Sequence, residues 1–357
     1  MRGCLLKSLS FLLLFGFAAC KKDKPDGPDN TLPPAYAEKV LIACEGSLGN
    51  GNAALSVYDI AADSVYTDVF NAANQQSLGD VLQSMLLAGP DCFLMVNNSD
   101  RITVVDSGSF RIKGSIAVPK PRYMLQVSQN KAYVGELFQS KLAVIDPSSR
   151  RLIKEMPLQY RNVEQMMLWN NLALIANWDE NCRQVYLLDT ATDLPVDSIA
   201  LPGYAPSAFV QDKEGHVWVL AGNVFKGKPA TLSCLDIGSR SVLRSFTFPA
   251  KADPIKICRN NGGDTLLFIE VNYDGGTDRN GVFKMGINQS TLPETPFIGC
   301  VANQYFWALG VHPQTGELYV GDPKGFVQKS SVTIYSEAGV ARRQFSCGIG
   351  VSSFCFK

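Results

Sequence analysis

The chain has 357 residues, and its 33 basic side chains balance 33 acidic ones. No basic tract stands out, which argues against nucleic acid as a partner. Aromatic residues make up 10% of the chain against two histidines, so contact through ring faces is better supplied than imidazole chemistry.

Arg2 and Lys7 precede an apolar run from Leu9 to Ala19, which is too short to span a bilayer and carries its basic residues in front, as an export signal does. It ends in Phe17-Ala18-Ala19-Cys20, which resembles a bacterial lipobox with Phe17 in place of the usual Leu. Residues 1–19 are therefore expected to be a lipoprotein signal peptide, and Cys20 the acylated new amino terminus. Removing them leaves 31 basic against 33 acidic residues, a net charge of about −2. Residues 20–38 are expected to form a tether. Lys21 to Leu32 holds three Lys, three Asp and two Pro with no hydrophobe before Leu32, a composition that cannot bury enough surface to fold. A lipid at Cys20 would anchor the protein to a membrane without spanning it.

From Lys39 onward seven segments recur: Leu55–Asp59, Ile102–Asp106, Leu142–Asp146, Val185–Asp189, Leu232–Asp236, Val282–Gly286 and Val332–Ser336. Their last residues are 47, 40, 43, 47, 50 and 50 apart. A period of 40 to 50 residues made of strands and turns predicts a β-propeller. Met124 to Met156 supplies a type blade of four antiparallel strands, with an Asp-Pro-Ser-Ser turn at 146–149 before a half-exposed outer strand. The second strand of each repeat, such as Phe93–Val96 or Val217–Leu220, is a continuous apolar run, as a strand buried on both faces requires. The Asp that ends five of the third strands is read as hairpin chemistry and not as a row of metal ligands. The first repeat lacks an innermost strand, and Val351–Phe356 supplies one. The expectation for 39–357 is an all-β, seven-bladed β-propeller whose C-terminal strand closes the first blade and leaves no open sheet edge.

Eight cysteines follow Cys20, mostly inside apolar strands and never as C-x-x-C. They are expected to be buried free thiols, with no bridge assignable from spacing. His216 and His312 sit in short hairpin turns and are taken to occupy equivalent positions in two blades, where turn packing explains both. The Asp274–Asp278 segment offers oxygen ligands for calcium but lacks an alternating Asp pattern, so it is read as a glycine-rich turn.

Turns joining first to second and third to fourth strands share one face and are short and polar. The other face carries longer, uneven, aromatic loops, and binding is sought there. The candidate contacts from the second-to-third strand loops are Asn52, Asn98, Phe138, Trp178, Asp179, Phe225, Tyr273 and Asp274. Those from the blade starts are Arg122, Tyr123, Tyr204, Tyr305 and Trp307. Rings combined with amides and carboxylates suit a sizeable, polar, partly planar ligand such as a glycan, a corrinoid or a peptide. No catalytic residue and no metal is assigned. Two alternatives stand beside ligand binding: a protein-interaction scaffold with no small ligand, and a lyase or glycosidase working with carboxylates such as Asp179 with Glu180 or Glu136 with Asp274.

The tandem Val-x-Val-Ile-Asp-like third strands resemble YVTN-repeat (YncE-like) seven-bladed propellers. The opening Cys44-Glu45-Gly46-Ser47-Leu48-Gly49-Asn50-Gly51-Asn52, with Phe70-Asn71 and Leu78-Gly79-Asp80 after it, is similar to Bacteroidetes surface lipoproteins of that class. The family pattern has Asn where this chain has Cys44. The set includes a cobalamin-capturing lipoprotein that sits on a TonB-dependent outer-membrane transporter. The resemblance implies a lipid-anchored outer-membrane protein facing the cell exterior. Its role would be to capture a nutrient, with cobalamin as a transported ligand and not a required cofactor, for a TonB-dependent barrel.

Overall fold

The computed structural model describes residues 38–357; the expected signal peptide, Cys20 and all but the last residue of the tether lie outside them. Twenty-eight strands, numbered β1 to β28 in chain order, form seven four-stranded antiparallel sheets. Each sheet is one blade. The innermost strands are β4 (Leu82–Ala88), β8 (Pro121–Ser128), β12 (Val163–Trp169), β16 (Pro206–Gln211), β20 (Asp253–Arg259), β24 (Ala308–Val311) and β28 (Val351–Phe356). Each touches the next around the ring, and β28 touches β4 and β24 to close it.

The first blade runs β28-β1-β2-β3, with β28 paired antiparallel to β1 (Lys39–Cys44) from Val40↔Phe356 to Cys44↔Val351. The chain end thus supplies the innermost strand of the blade that the chain start begins, and the expected closure is observed. β28 thereby covers the edge of β1 that would otherwise be left open.

The second strands are buried along their length because neighbouring blades cover both of their faces. Between the fifth and sixth blades, Trp218, Phe248, Phe268 and Phe283 share one cluster, and Phe268 stacks on Phe283 at 5.8 Å between centroids. The first blade departs from the type pattern. Its outer strand β3 (Ser64–Tyr66) is short and is followed by a helix, α1 (Val69–Asn74), capped by the Asp68 carboxylate and burying Val69 and Phe70.

The recurrent Asp residues do what short-range turn chemistry demands. Asp106 accepts from the backbone N–H of Gly108 and Ser109, Asp146 from Ser148 and Ser149, Asp189 from Ala191 and Thr192, and Asp236 from Gly238 and Ser239. Asp59 accepts from Ala62. Cys44, Cys92, Cys182, Cys234, Cys258, Cys300 and Cys355 are free thiols, as expected.

The two histidines are not equivalent. His312 opens its turn: its backbone N–H bonds the Glu317 carbonyl, and its Nδ1 accepts from the N–H of Gln314 and Thr315. Asp212 holds that place in the fifth blade, bonding the His216 carbonyl through its N–H and accepting with Oδ1 from Glu214 and His216. His216 therefore matches Glu317. The turns also differ in length by one residue, and the histidine closes one while it opens the other.

Candidate functional site

The innermost strands begin irregularly, and that irregularity builds the site. Ladder register skips Gln83 in β4, Arg122 and Tyr123 in β8, Glu164 and Gln165 in β12, Ser207 in β16, and Lys256 and Ile257 in β20. A bulge frees the extra residue from the ladder and re-aims its side chain. All of these except Ile257 line one cavity of about 350 Å³ at the mouth of the central channel. The cavity opens on the face of the long loops, opposite the hairpin turns.

The floor is polar and ordered across three blades. Arg122 donates through Nε to Glu164 at 2.9 Å, places Nη2 2.7 Å from the same carboxylate, and donates through Nη1 to the Gln83 carbonyl oxygen. Burial works against the guanidinium charge, but Glu164, Tyr123 and Glu45 together outweigh it and hold Arg122 above its ordinary range. Glu45 accepts from Trp307 Nε1 at 3.2 Å. Burial pushes its carboxyl up, against the opposing pull of Lys256, Trp307 and Arg122. Tyr273 donates its hydroxyl to Asp253 at 3.0 Å. Burial raises the Asp253 carboxyl, and burial together with Asp253 drives the Tyr273 hydroxyl far above its usual range.

One side of the mouth is aromatic. Phe225, Tyr273, Tyr305, Trp307 and Phe326 run as a chain of ring contacts at 5.5, 6.4, 6.4 and 5.7 Å. Trp178 adds a further ring to the cavity wall, its Nε1 donating to the Gly222 carbonyl at 3.0 Å. Gly222 is needed there, because a Cβ would come within 2.7 Å of the Ala230 backbone.

Six of the expected contacts meet in the cavity: Arg122, Tyr123, Trp178, Phe225, Tyr273 and Trp307. Tyr305 joins the aromatic chain and lines a neighbouring groove. Asp274 lies in the groove beyond Tyr273 and Phe225, 80% exposed. Four others serve the loops. Asn52 braces Ser47, Asn98 bonds Asp80 and Lys120, and Asp179 is buried under Asn181. Tyr204 lies under Arg183 and Lys228. Phe138 projects outward and is 63% exposed. The floor residues Gln83, Glu164, Gln165, Ser207 and Lys256, with Glu45 and Phe326, were not among the expected contacts. A polar residue immediately after the apolar start of an inner strand, as in Leu82-Gln83, Val163-Glu164 and Pro206-Ser207, is the signal that would have found several of them.

The family pattern for a domain of unknown function, DUF5074, spans residues 38–346. The chain belongs to the DUF5074 family. No curated protein sequence matches it. Among solved structures, this DUF5074 chain is similar to a quinonprotein alcohol dehydrogenase-like protein from Bacteroides thetaiotaomicron, at 17% identity and TM-score 0.67 over 88% of this chain and 78% of that one. It is also similar to the periplasmic gluconolactonase of Pseudomonas aeruginosa, at 12% identity and TM-score 0.66 over 89% and 99%. A third is dihydro-heme d1 dehydrogenase NirN in complex with DHE, at 7% identity and TM-score 0.62 over 91% and 76%. At these identities the likeness is one of fold.

Proposed function

We propose that this DUF5074 chain captures a polar, ring-bearing nutrient in the mouth of the propeller. It does so as an exported lipoprotein anchored through Cys20 at the outer membrane and facing the cell exterior, beside a TonB-dependent barrel. The observation that carries this reading is the cavity itself, where an ordered Arg122–Glu164–Gln83 floor meets a continuous aromatic wall. Rings supply contact area and the floor groups fix orientation. About 350 Å³ is at the small end of ligand cavities. It accepts a sugar-sized ring whole or one edge of a corrinoid, with exposed Phe225 and Tyr273 extending the surface outward. Cobalamin is the ligand suggested by the resemblance to capture lipoproteins. No group transfer is proposed, because Glu164, Glu45 and Asp253 already hold Arg122, Trp307 and Tyr273.

The test is calorimetric titration of the mature chain with cobalamin, other corrinoids, haem and a panel of mono- and oligosaccharides. Saturable binding of one class, lost in Trp178→Ala and Arg122→Met, supports capture. Absence of saturation with every class overturns it.

A scaffold reading is favoured by one observation: Leu48, Phe138, Val301 and Val327 expose apolar tips on the same face, 63–78% accessible. Recovery of an outer-membrane barrel by the chain, with no small ligand bound, would select that reading.

A further inference from the structure

The hairpin joining β16 to β17 (Val217–Asn223) carries a side-chain cluster that the ligand cavity does not use, on the opposite face of the disc. Asp212 and His216 flank this turn, and Cys234 comes from the adjacent strand β18 (Lys228–Asp236). One carboxylate oxygen, one imidazole nitrogen and the thiol sulfur lie within 4.8 Å of one another.

His216 is the informative member. Its Nδ1 is buried and makes no hydrogen bond. The nearest acceptors are Glu214 Oε2 at 3.6 Å and Asp212 Oδ2 at 3.7 Å. Those separations are too long for hydrogen bonds. They are close to the roughly 3.4 Å between two nitrogen or oxygen ligands on a tetrahedral ion with bonds of about 2.1 Å. Turn packing accounts for His312, whose Nδ1 accepts two backbone bonds, but leaves His216 Nδ1 without a hydrogen bond.

Asp212 is held as a metal-binding carboxylate is held by its outer partners. Its Oδ1 takes the N–H of Glu214 and His216, and its Oδ2 takes Trp218 Nε1 at 2.8 Å, leaving lone-pair capacity on Oδ2 beside His216. The Arg244 guanidinium lies over the Trp218 ring at 5.1 Å, and Arg244 stands directly across the ladder from Cys234.

We propose that Asp212, His216 and Cys234, with Glu214 as fourth donor, form a binding site for a borderline-soft divalent cation of the zinc class. A thiolate with an imidazole selects such an ion over magnesium or calcium, and carboxylates complete four coordination. The ion would pin the inner hairpin of the fifth blade to its third strand. The site is independent of the ligand cavity, so neither proposal stands or falls with the other.

Cobalt(II) is the probe, added to the full mature chain after stripping with a chelator. The expected result is one equivalent bound, with thiolate-to-cobalt charge-transfer absorption and intense tetrahedral visible bands. Cys234→Ser should abolish the charge-transfer band. His216→Gln, at a partly exposed side chain, should weaken zinc binding by at least about tenfold while the apo chain keeps its melting temperature. Weak octahedral cobalt bands, no saturable zinc binding, or a charge-transfer band that survives Cys234→Ser would each overturn the assignment.

Discussion

Arg122→Met tests whether the polar floor is a working lattice or a set of incidental contacts. The substitution keeps most of the buried stem and removes the charge that joins the second, third and fourth blades through Gln83 and Glu164. Glu164 is only 4% exposed, so its carboxylate is left in a poorly solvated place with no cation in contact. Breaking a fully buried pair costs about 3–5 kcal/mol. Arg122 keeps 17% of its side chain toward the cavity, which places the cost near the lower end, about 3 kcal/mol. With about 2.1 cal/mol/K of unfolding entropy per residue over the propeller, that corresponds to a fall in Tm of about 4–5 °C. The loss depends on pH. Burial already pushes the Glu164 carboxyl up, and Arg122 is the main group pulling it back. In the variant the folded carboxyl is raised further above its unfolded value. A group raised in that way favours folding most below its unfolded value and loses that contribution as pH rises through the folded one. The deficit should thus be smallest near about pH 5 and grow toward about pH 8. Glu164→Gln alone should cost a similar amount, and the double variant should recover most of the loss because no buried charge remains. Calorimetric melting of the four proteins at both pH values is the assay. A fall below about 1 °C for Arg122→Met, or a double variant no better than the worse single one, would refute the lattice.

Glu136 is fully buried at the end of β9 (Lys131–Glu136), with neither carboxylate oxygen hydrogen-bonded and Lys141 3.8 Å away. Burial pushes its carboxyl up to about 7, so the wild type loses stability as pH rises through that value. Glu136→Gln should raise Tm by about 5 °C near pH 8 and by only about 1 °C near pH 5, as read by thermal melting at both values; equal effects at the two would contradict the burial argument. A chain ending at Gly350 lacks β28 and leaves β1 as an open inner edge. It should lose cooperative melting, and a peptide of residues 351–357 added in trans should restore it; an unchanged melt without the peptide would mean the seam is not closed by this strand. Tyr273 is half exposed and its ring belongs to the aromatic wall. Tyr273→Ala should weaken whichever ligand saturates by at least about tenfold while lowering Tm by only about 1–3 °C, the cost of leaving Asp253 without its hydroxyl donor.

Much of the fold was legible because it is written in short-range terms. The third-strand Asp residues cap their own turns within three positions, the second strands are unbroken apolar runs, and the surplus strand at 351–356 answers the missing one before Lys39. The site was legible where side chains stand on loops, as Trp178, Phe225, Tyr273 and Trp307 do, and at Arg122 and Tyr123, whose place at a blade start reads as loop although they belong to β8. Gln83, Glu164 and Lys256 were hidden because they sit inside strands, where alternation predicts burial or exposure but not a bulge. Phe326 was hidden in a short 3-10 turn at φ 60°. Phe138 and Tyr204 also stand on the long-loop face, yet neither lines the cavity: Phe138 is exposed, and Tyr204 lies under Arg183 and Lys228.

The blade starts hold the sharper lesson. Val81, Lys120, Asn162 and Ala205 all take left-handed φ values between 43° and 67°, each immediately before an inner strand, in four consecutive blades. For β-branched Val81 that conformation is an outlier, and for Lys120 it precedes a proline that restricts it further. Four blades therefore share one strained approach and one bulge, yet the residues delivered are Gln83, Arg122, Glu164 and Ser207. The backbone device is constant and the chemistry it presents is not. Strain of this kind persists only where the surroundings over-determine it, and here the surroundings are the ring of inner strands. Because the bulged residue is outside the ladder, its identity can change without breaking a strand pair. The mouth can thus be rewritten one side chain at a time while the disc beneath it stays the same.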